Sequence, residues 1–124
     1  MEWRNSNPVY PVRDVARSIE WYGHMFGFEP VVVNPPNDVP VYAVLDRDSV
    51  SLHLLRKDEA PHGLGGFVEA QFVIDGGLDE LFEQIKERGV KVIQSPLDRP
   101  WGSRDFIVAD LDDNLVWVSV PLTR

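Results

Sequence analysis

The chain has 124 residues, no cysteine, 12 Lys and Arg against 20 Asp and Glu, and 44% apolar side chains. That length holds one domain, or two small halves sharing a core, and the apolar share is enough to pack it. Zero cysteine removes disulfides, zinc knuckles, iron–sulfur clusters and thiol nucleophiles, no apolar run approaches a membrane span, and a net charge of −8 disfavours a phosphate backbone as partner.

Met1 to Pro8 is polar and carries no secretory core, so a cytoplasmic protein without membrane or nucleic-acid partners is expected. Pro8 to Val12 predicts a strand. Asp14 has the character of a helix N-cap, Val15, Ile19, Tyr22 and Phe26 follow at helical spacing, and Gly27 ends the helix. Phe28 to Val33 predicts a strand that stops at Asn34-Pro35-Pro36-Asn37. Val41 to Leu45 and Val50 to Leu55 predict a hairpin around Asp46-Arg47-Asp48-Ser49. A polar loop from Arg56 to Gly66 follows.

The order then recurs. Phe67 to Ile74 predicts a strand, and Leu78, Leu81, Phe82 and Ile85 make a helical stripe ended by Gly89. Val90 to Ile93, Arg104 to Ala109 and Leu115 to Val120 predict three more strands, the last two around an Asp110 to Asn114 turn. Val12 matches Ile74 and Gly27 matches Gly89, both 62 residues apart, which is half the chain. We therefore expect one domain made of two βαβββ modules, residues 1–62 and 63–124, neither able to bury its sheet alone.

The segments Pro11–Pro30 (PVRDVARSIEWYGHMFGFEP), Gly77–Val92 (GLDELFEQIKERGVKV) and Pro100–Val118 (PWGSRDFIVADLDDNLVWV) carry a family resemblance. The doubled module resembles the vicinal oxygen chelate superfamily, which joins glyoxalases, bleomycin resistance proteins and dioxygenases. The "PWG-x-R-acidic-F" opening and "D-x-D-x-N" turn look like the bleomycin resistance branch. The resemblance implies an α+β fold in which the modules form a curved mixed sheet around a ligand cup, with helices on the convex face.

Strand alternation assigns the faces independently. Val50, Leu52 and Leu54 should face a helix, leaving Ser51, His53 and Leu55 toward the cup. Ala70, Phe72 and Ile74 should face a helix, leaving Glu69, Gln71 and Val73. Val116, Val118 and Val120 should do the same, leaving Leu115, Trp117 and Ser119.

Metal-dependent members of the superfamily carry His or Glu at four cup positions, which the resemblance sets on Asn7, Ser51, Glu69 and Trp117. Only Glu69 is a competent ligand, so no metal and no other cofactor is expected. His24 lies on the first helix, His62 in the polar loop, and His53 on the cup face. Glu69 alone could act as a general base if burial raised its pKa, but no partner is evident. The paired carboxylates Asp46/Asp48 and Asp112/Asp113 read as solvated hairpin ends.

Trp101, restrained by Pro100 and freed at Gly102, suits stacking on a flat ligand. The resemblance places Tyr42 and Trp101 where the rings of bleomycin resistance proteins sandwich the drug's planar bithiazole. With Gly102, Ser103, His53, Ser51, Glu69 and Trp117 they make the expected ligand-binding set. Trp3 and Trp21 read as packing residues. The resemblance further implies a homodimer with N-terminal arm exchange near Pro8 and cups lined by both subunits. The expectation is a metal-independent binder that sequesters a planar, cationic antibiotic of the bleomycin type, favoured over an enzyme. The alternatives are a glyoxalase-like lyase or isomerase using Glu69, and a binder of another aromatic natural product such as an enediyne or a mitomycin. Both halves are acidic, at −3 and −5, which assists long-range capture of a cation and leaves specificity to the aromatics.

Overall fold

The computed structural model describes residues 1–59 and 67–122. The chain divides into two compact units, Met1–Gly66 and Phe67–Arg124. The expected module boundary at residues 62 and 63, and His62 itself, lie outside the described residues.

The first unit runs β1 (Val9–Val12), α1 (Val15–Phe26), β2 (Glu29–Asn34), β3 (Tyr42–Arg47) and β4 (Val50–Arg56), then one 3-10 turn at Lys57–Glu59. Its sheet has the order β1-β4-β3-β2, with β1 parallel to β4 and the other pairs antiparallel. Asp14 caps α1 by accepting the Arg17 N–H at 3.0 Å, which satisfies one of the orphan donors of the first turn. Gly27 ends the helix in the left-handed region at φ 72°, where a side chain would be strained. Alternation then sorts the strands. Tyr10, Val12, Ala43, Leu45, Leu52 and Leu54 are buried with Val15, Tyr22, Met25 and Phe26 of the helix. Tyr42, Val44, Ser51, His53 and Leu55 lie half-buried on the opposite face.

The second unit repeats the plan with β5 (Glu69–Val73), α2 (Leu78–Glu87), β6 (Lys91–Asp98), β7 (Ser103–Ala109) and β8 (Leu115–Pro121), in the order β5-β8-β7-β6. No side chain caps α2, because its N-cap is Gly77. Asp79 and Glu80 in the first turn face the positive end of the helix instead. Phe82 and Ile85 of α2 are buried with Phe106, Val108, Val116 and Val118. Among the described residues no helix is long and apolar enough to cross a membrane.

Four details differ from expectation. Strand β6 extends five residues past Ile93, through Pro96, with register breaks between Val92 and Gln94 and between Gln94 and Leu97. An edge strand tolerates proline because one of its sides needs no ladder partner, and bulges absorb the misfit. The Asp112 carboxylate is not a solvated hairpin end: Asp110, Asp112 and Asn114 are all buried in their turn. There Asp110 Oδ1 accepts the N–H groups of Asp112 and Asn114 at 2.8 and 2.9 Å, and Asn114 Oδ1 accepts the Val68 N–H at 2.8 Å. Asp46 likewise accepts a bond from Ser51. Trp21, half-buried, packs edge-on against Tyr22 and Phe26 as expected of a packing residue, but Trp3 is 90% exposed, because residues 1–8 join no helix or strand that could cover it.

Candidate functional site

Each sheet has one face packed on its helix and one open face, and the expected site residues are distributed over the open faces. In the first unit β3 and β4 pair Tyr42 with Leu55, Val44 with His53 and Asp46 with Ser51. The Tyr42 hydroxyl lies 2.7 Å from His53 Nδ1 across the strands, with the rings 5.6 Å apart and nearly perpendicular. Ser51 donates to Asp46 at 2.5 Å. Tyr42, Ser51 and His53 thus share one face, with both hydroxyls and His53 Nδ1 bonded within the protein. The Tyr42 ring is held at its hydroxyl by His53.

The open face of the second unit is built from cross-strand rows. Pairing aligns Gln71, Trp117, Ile107 and Gln94 in one row and Val73, Ser119, Asp105 and Leu97 in the next. Gln71 Nε2 donates to Ser119 at 2.9 Å. Asp105 has no exposed surface, and a carboxylate in that position requires partners. It finds them in Arg99, which follows β6 and folds back over the face. Arg99 Nε donates to Asp105 at 2.9 Å and its Nη2 to the Gln94 side-chain Oε1 at 2.5 Å, while Gln94 Nε2 donates to Asp105 at 3.1 Å. Burial pushes the Asp105 carboxyl up. The neighbouring Trp117 indole, Arg99 and Gln94 outweigh it and leave the group below the ordinary aspartate range. The Trp117 N–H acts here as a nearby dipole, since it is buried without reaching hydrogen-bond geometry to any acceptor.

The same guanidinium lies 5.3 Å from the ring centre of Trp101 and 5.6 Å from that of Trp117, within cation–π range of both. Trp101 itself is 64% exposed. Its turn is held on either side: Arg99 N–H bonds the Ser103 carbonyl at 2.6 Å, Gly102 N–H bonds the Arg99 carbonyl at 3.1 Å, and Leu122 N–H bonds the Gly102 carbonyl at 2.9 Å. Gly102 sits at φ 99°, a conformation that strains any residue with a Cβ. Ser103 opens β7, with its hydroxyl 3.5 Å from Asp105. Trp101, Gly102, Ser103 and Trp117 are therefore grouped around Arg99.

Glu69 stands apart, exposed at the start of the edge strand β5. The burial that would make it a base is absent from its unit. The four superfamily ligand positions do not fit a metal ion. Asn7 bonds to Asn5 at 3.1 Å, Ser51 is committed to Asp46, Trp117 offers an indole, and Glu69 is the one carboxylate. Among the described residues no three His, Cys, Asp or Glu side chains converge. His24 is exposed on α1.

Arg99, Asp105 and Gln94 were not anticipated as a group. The period-two pattern of β7 puts Asp105 on the same face as Ser103 and Ile107, and that was the available signal. Nothing in the sequence shows that Arg99 turns back onto it.

Comparison with known proteins agrees with the family resemblance. The family described as Glyoxalase/Bleomycin resistance protein/Dioxygenase superfamily matches residues 7–118. A bleomycin resistance protein from Geobacillus stearothermophilus is 31% identical, covering 90% of this chain and 92% of its own. The structure of TioX from Micromonospora sp. ML1 is 26% identical, with a TM-score of 0.76 over 95% of this chain and 100% of that one. The bleomycin resistance determinant encoded on transposon Tn5 has a TM-score of 0.78 at 19% identity, over 98% of this chain and all of its own, and speaks for the fold alone.

Proposed function

The chain belongs to the glyoxalase/bleomycin resistance protein/dioxygenase superfamily, and on that premise we propose that it binds and sequesters a planar, cationic antibiotic of the bleomycin type without a metal and without turnover. The observation that carries this reading is Trp101. A large indole, 64% exposed, is held out on a turn whose backbone is bonded on both sides. An exposed aromatic that is already rigid loses little entropy on stacking, and each ring pair contributes about 1 kcal/mol beyond its buried area. Tyr42, oriented by His53, is the second stacking ring in this proposal. A relative 31% identical bears the name bleomycin resistance protein, which supports the ligand class.

Sequestration needs tight stoichiometric binding and no reaction. The open faces supply rings, amides, the Arg99–Asp105 ion pair and two hydroxyls already bonded within the fold, Ser51 to Asp46 and Tyr42 to His53. In this reading the functional species is a cytoplasmic homodimer with arm exchange near Pro8. The acidic chain, at −8, speeds capture of a cation.

The test is a titration of tryptophan fluorescence with bleomycin, with and without copper. Saturable quenching at micromolar concentration or tighter, lost in Trp101→Ala, is expected. No change in fluorescence with either form would overturn the reading. Sedimentation velocity on the same samples checks the dimer.

A further inference from the structure

The charge balance points to a cationic ligand, yet the group nearest the proposed stacking indole is itself a cation. Of the five N–H donors of a guanidinium, Arg99 uses Nε for Asp105 and one donor of Nη2 for Gln94. Both donors of Nη1 and the second of Nη2 have no acceptor among the described residues. The side edge of the guanidinium is thus occupied and its end-on fork is free. The Arg99 side chain retains 21% of its surface, so the fork is within reach of a ligand, and it lies 5.3 Å from the ring centre of Trp101. Asp105, Gln94 and Trp117 hold it there. An arginine whose position is fixed before binding forms a directed, bidentate bond at low entropic cost.

We infer that Arg99 is a specificity-determining residue that donates, through its free fork, to an oxygen acceptor on the edge of the ring stacked against Trp101, a carboxylate above all. This rests on the binding reading proposed above and narrows it. The ligand's planar part carries an oxygen acceptor near Trp101, and its cationic part lies away from Arg99. The overall charge governs approach, and the fork governs which ring edge is retained.

Two small probes separate these effects, since they share a ring and differ in charge: naphthalene-2-carboxylate and (naphthalen-2-yl)methylammonium. Their affinities for the full chain are measured by isothermal titration, beside bleomycin. The carboxylate is expected to bind about tenfold more tightly than the ammonium, against the chain's net charge. Arg99→Met is expected to erase that preference, and Arg99→Lys to retain part of it. Because Arg99→Met leaves Asp105 unpaired, the double variant Arg99→Met/Asp105→Asn serves as a folded control for the same loss. If bleomycin binds but the ammonium probe equals or exceeds the carboxylate, the role of Arg99 is overturned and the binding reading stands. If the preference survives both methionine variants, the assignment to Arg99 is likewise overturned. If neither bleomycin nor any probe binds, the binding reading falls and this inference falls with it.

Discussion

Replacing Asp105 by asparagine removes one negative charge and almost no volume. The carboxylate has no exposed surface and accepts bonds from Arg99 at 2.9 Å and Gln94 at 3.1 Å. Asparagine keeps an acceptor oxygen for both, so the loss is the charge-assisted part of the bonds. A charge-assisted bond exceeds a neutral one by about 1 kcal/mol, so the two bonds lose about 2 kcal/mol together, and the asparagine regains some of this by costing less to bury. We expect a net loss of about 1.5 kcal/mol at pH 7, a fall of about 6 °C in the unfolding midpoint for a chain of this size. Asp105→Ala, which strands both donors, should cost about 3 kcal/mol. The pH dependence gives the sign. Asp105 titrates lower in the folded chain than in the unfolded one. Its contribution is therefore complete above the unfolded value of about 3.9 and is lost as pH falls through the lower folded value. Urea unfolding of wild type and Asp105→Asn at pH 7, 5, 4 and 3 should show a constant gap down to pH 5 that narrows below pH 4. Other carboxylates titrate equally in both proteins and cancel. A gap that stays unchanged down to pH 3, or is absent at pH 7, would refute the account of Asp105 as an ionised, paired carboxylate.

Two other substitutions test separate parts of the structure. Tyr42→Phe removes the hydroxyl that bonds His53 but keeps the ring; about 1 kcal/mol of stability should be lost in urea unfolding, and fluorescence titration should show bleomycin binding weakened less than by Tyr42→Ala. Asn114→Ala strands the Val68 N–H and opens the Asp110 turn, and should lower stability by about 2 kcal/mol, with hydrogen exchange rising first at Val68 and Leu115.

Much of the fold was legible because it is written in short-range patterns. Asp14 and Gly27 bracket α1 by the chemistry of helix ends. Alternation in β4 and β8 separated the helix faces from the open faces and set Ser51, His53 and Trp117 on the open ones, while Tyr42 entered through the family resemblance and lies half-buried on the same face as His53. The 62-residue offset carried the repeat, because the two units share one strand order. What escaped depended on contacts without a period. The length of β6 is decided by bulges that accommodate Pro96, and composition alone reads that proline as a stop. Trp3 looks like core by residue type, and it is exposed for want of a neighbour. The Asp110 turn looks solvated by its charge count, whereas the Asp110 carboxylate accepts two backbone N–H groups of the turn itself. Arg99 was hidden for the same reason: it lies outside the strands, and its importance comes from where it folds back.

The alternation of the second sheet also bears on how such a protein changes its ligand over evolutionary time. The face that packs on α2 fixes the scaffold, so substitutions on the open face at Gln71, Val73 or Leu97, which are exposed there, alter what a ligand meets without disturbing that core. Asp105 and Ser119 are the exception, being buried on the open side. Lineages can therefore drift readily in the outline of the open face, while a change of charge at Asp105 costs stability unless Arg99 changes with it. On the binding reading proposed above, a new compound would be accommodated quickly by the first route and rarely by the second.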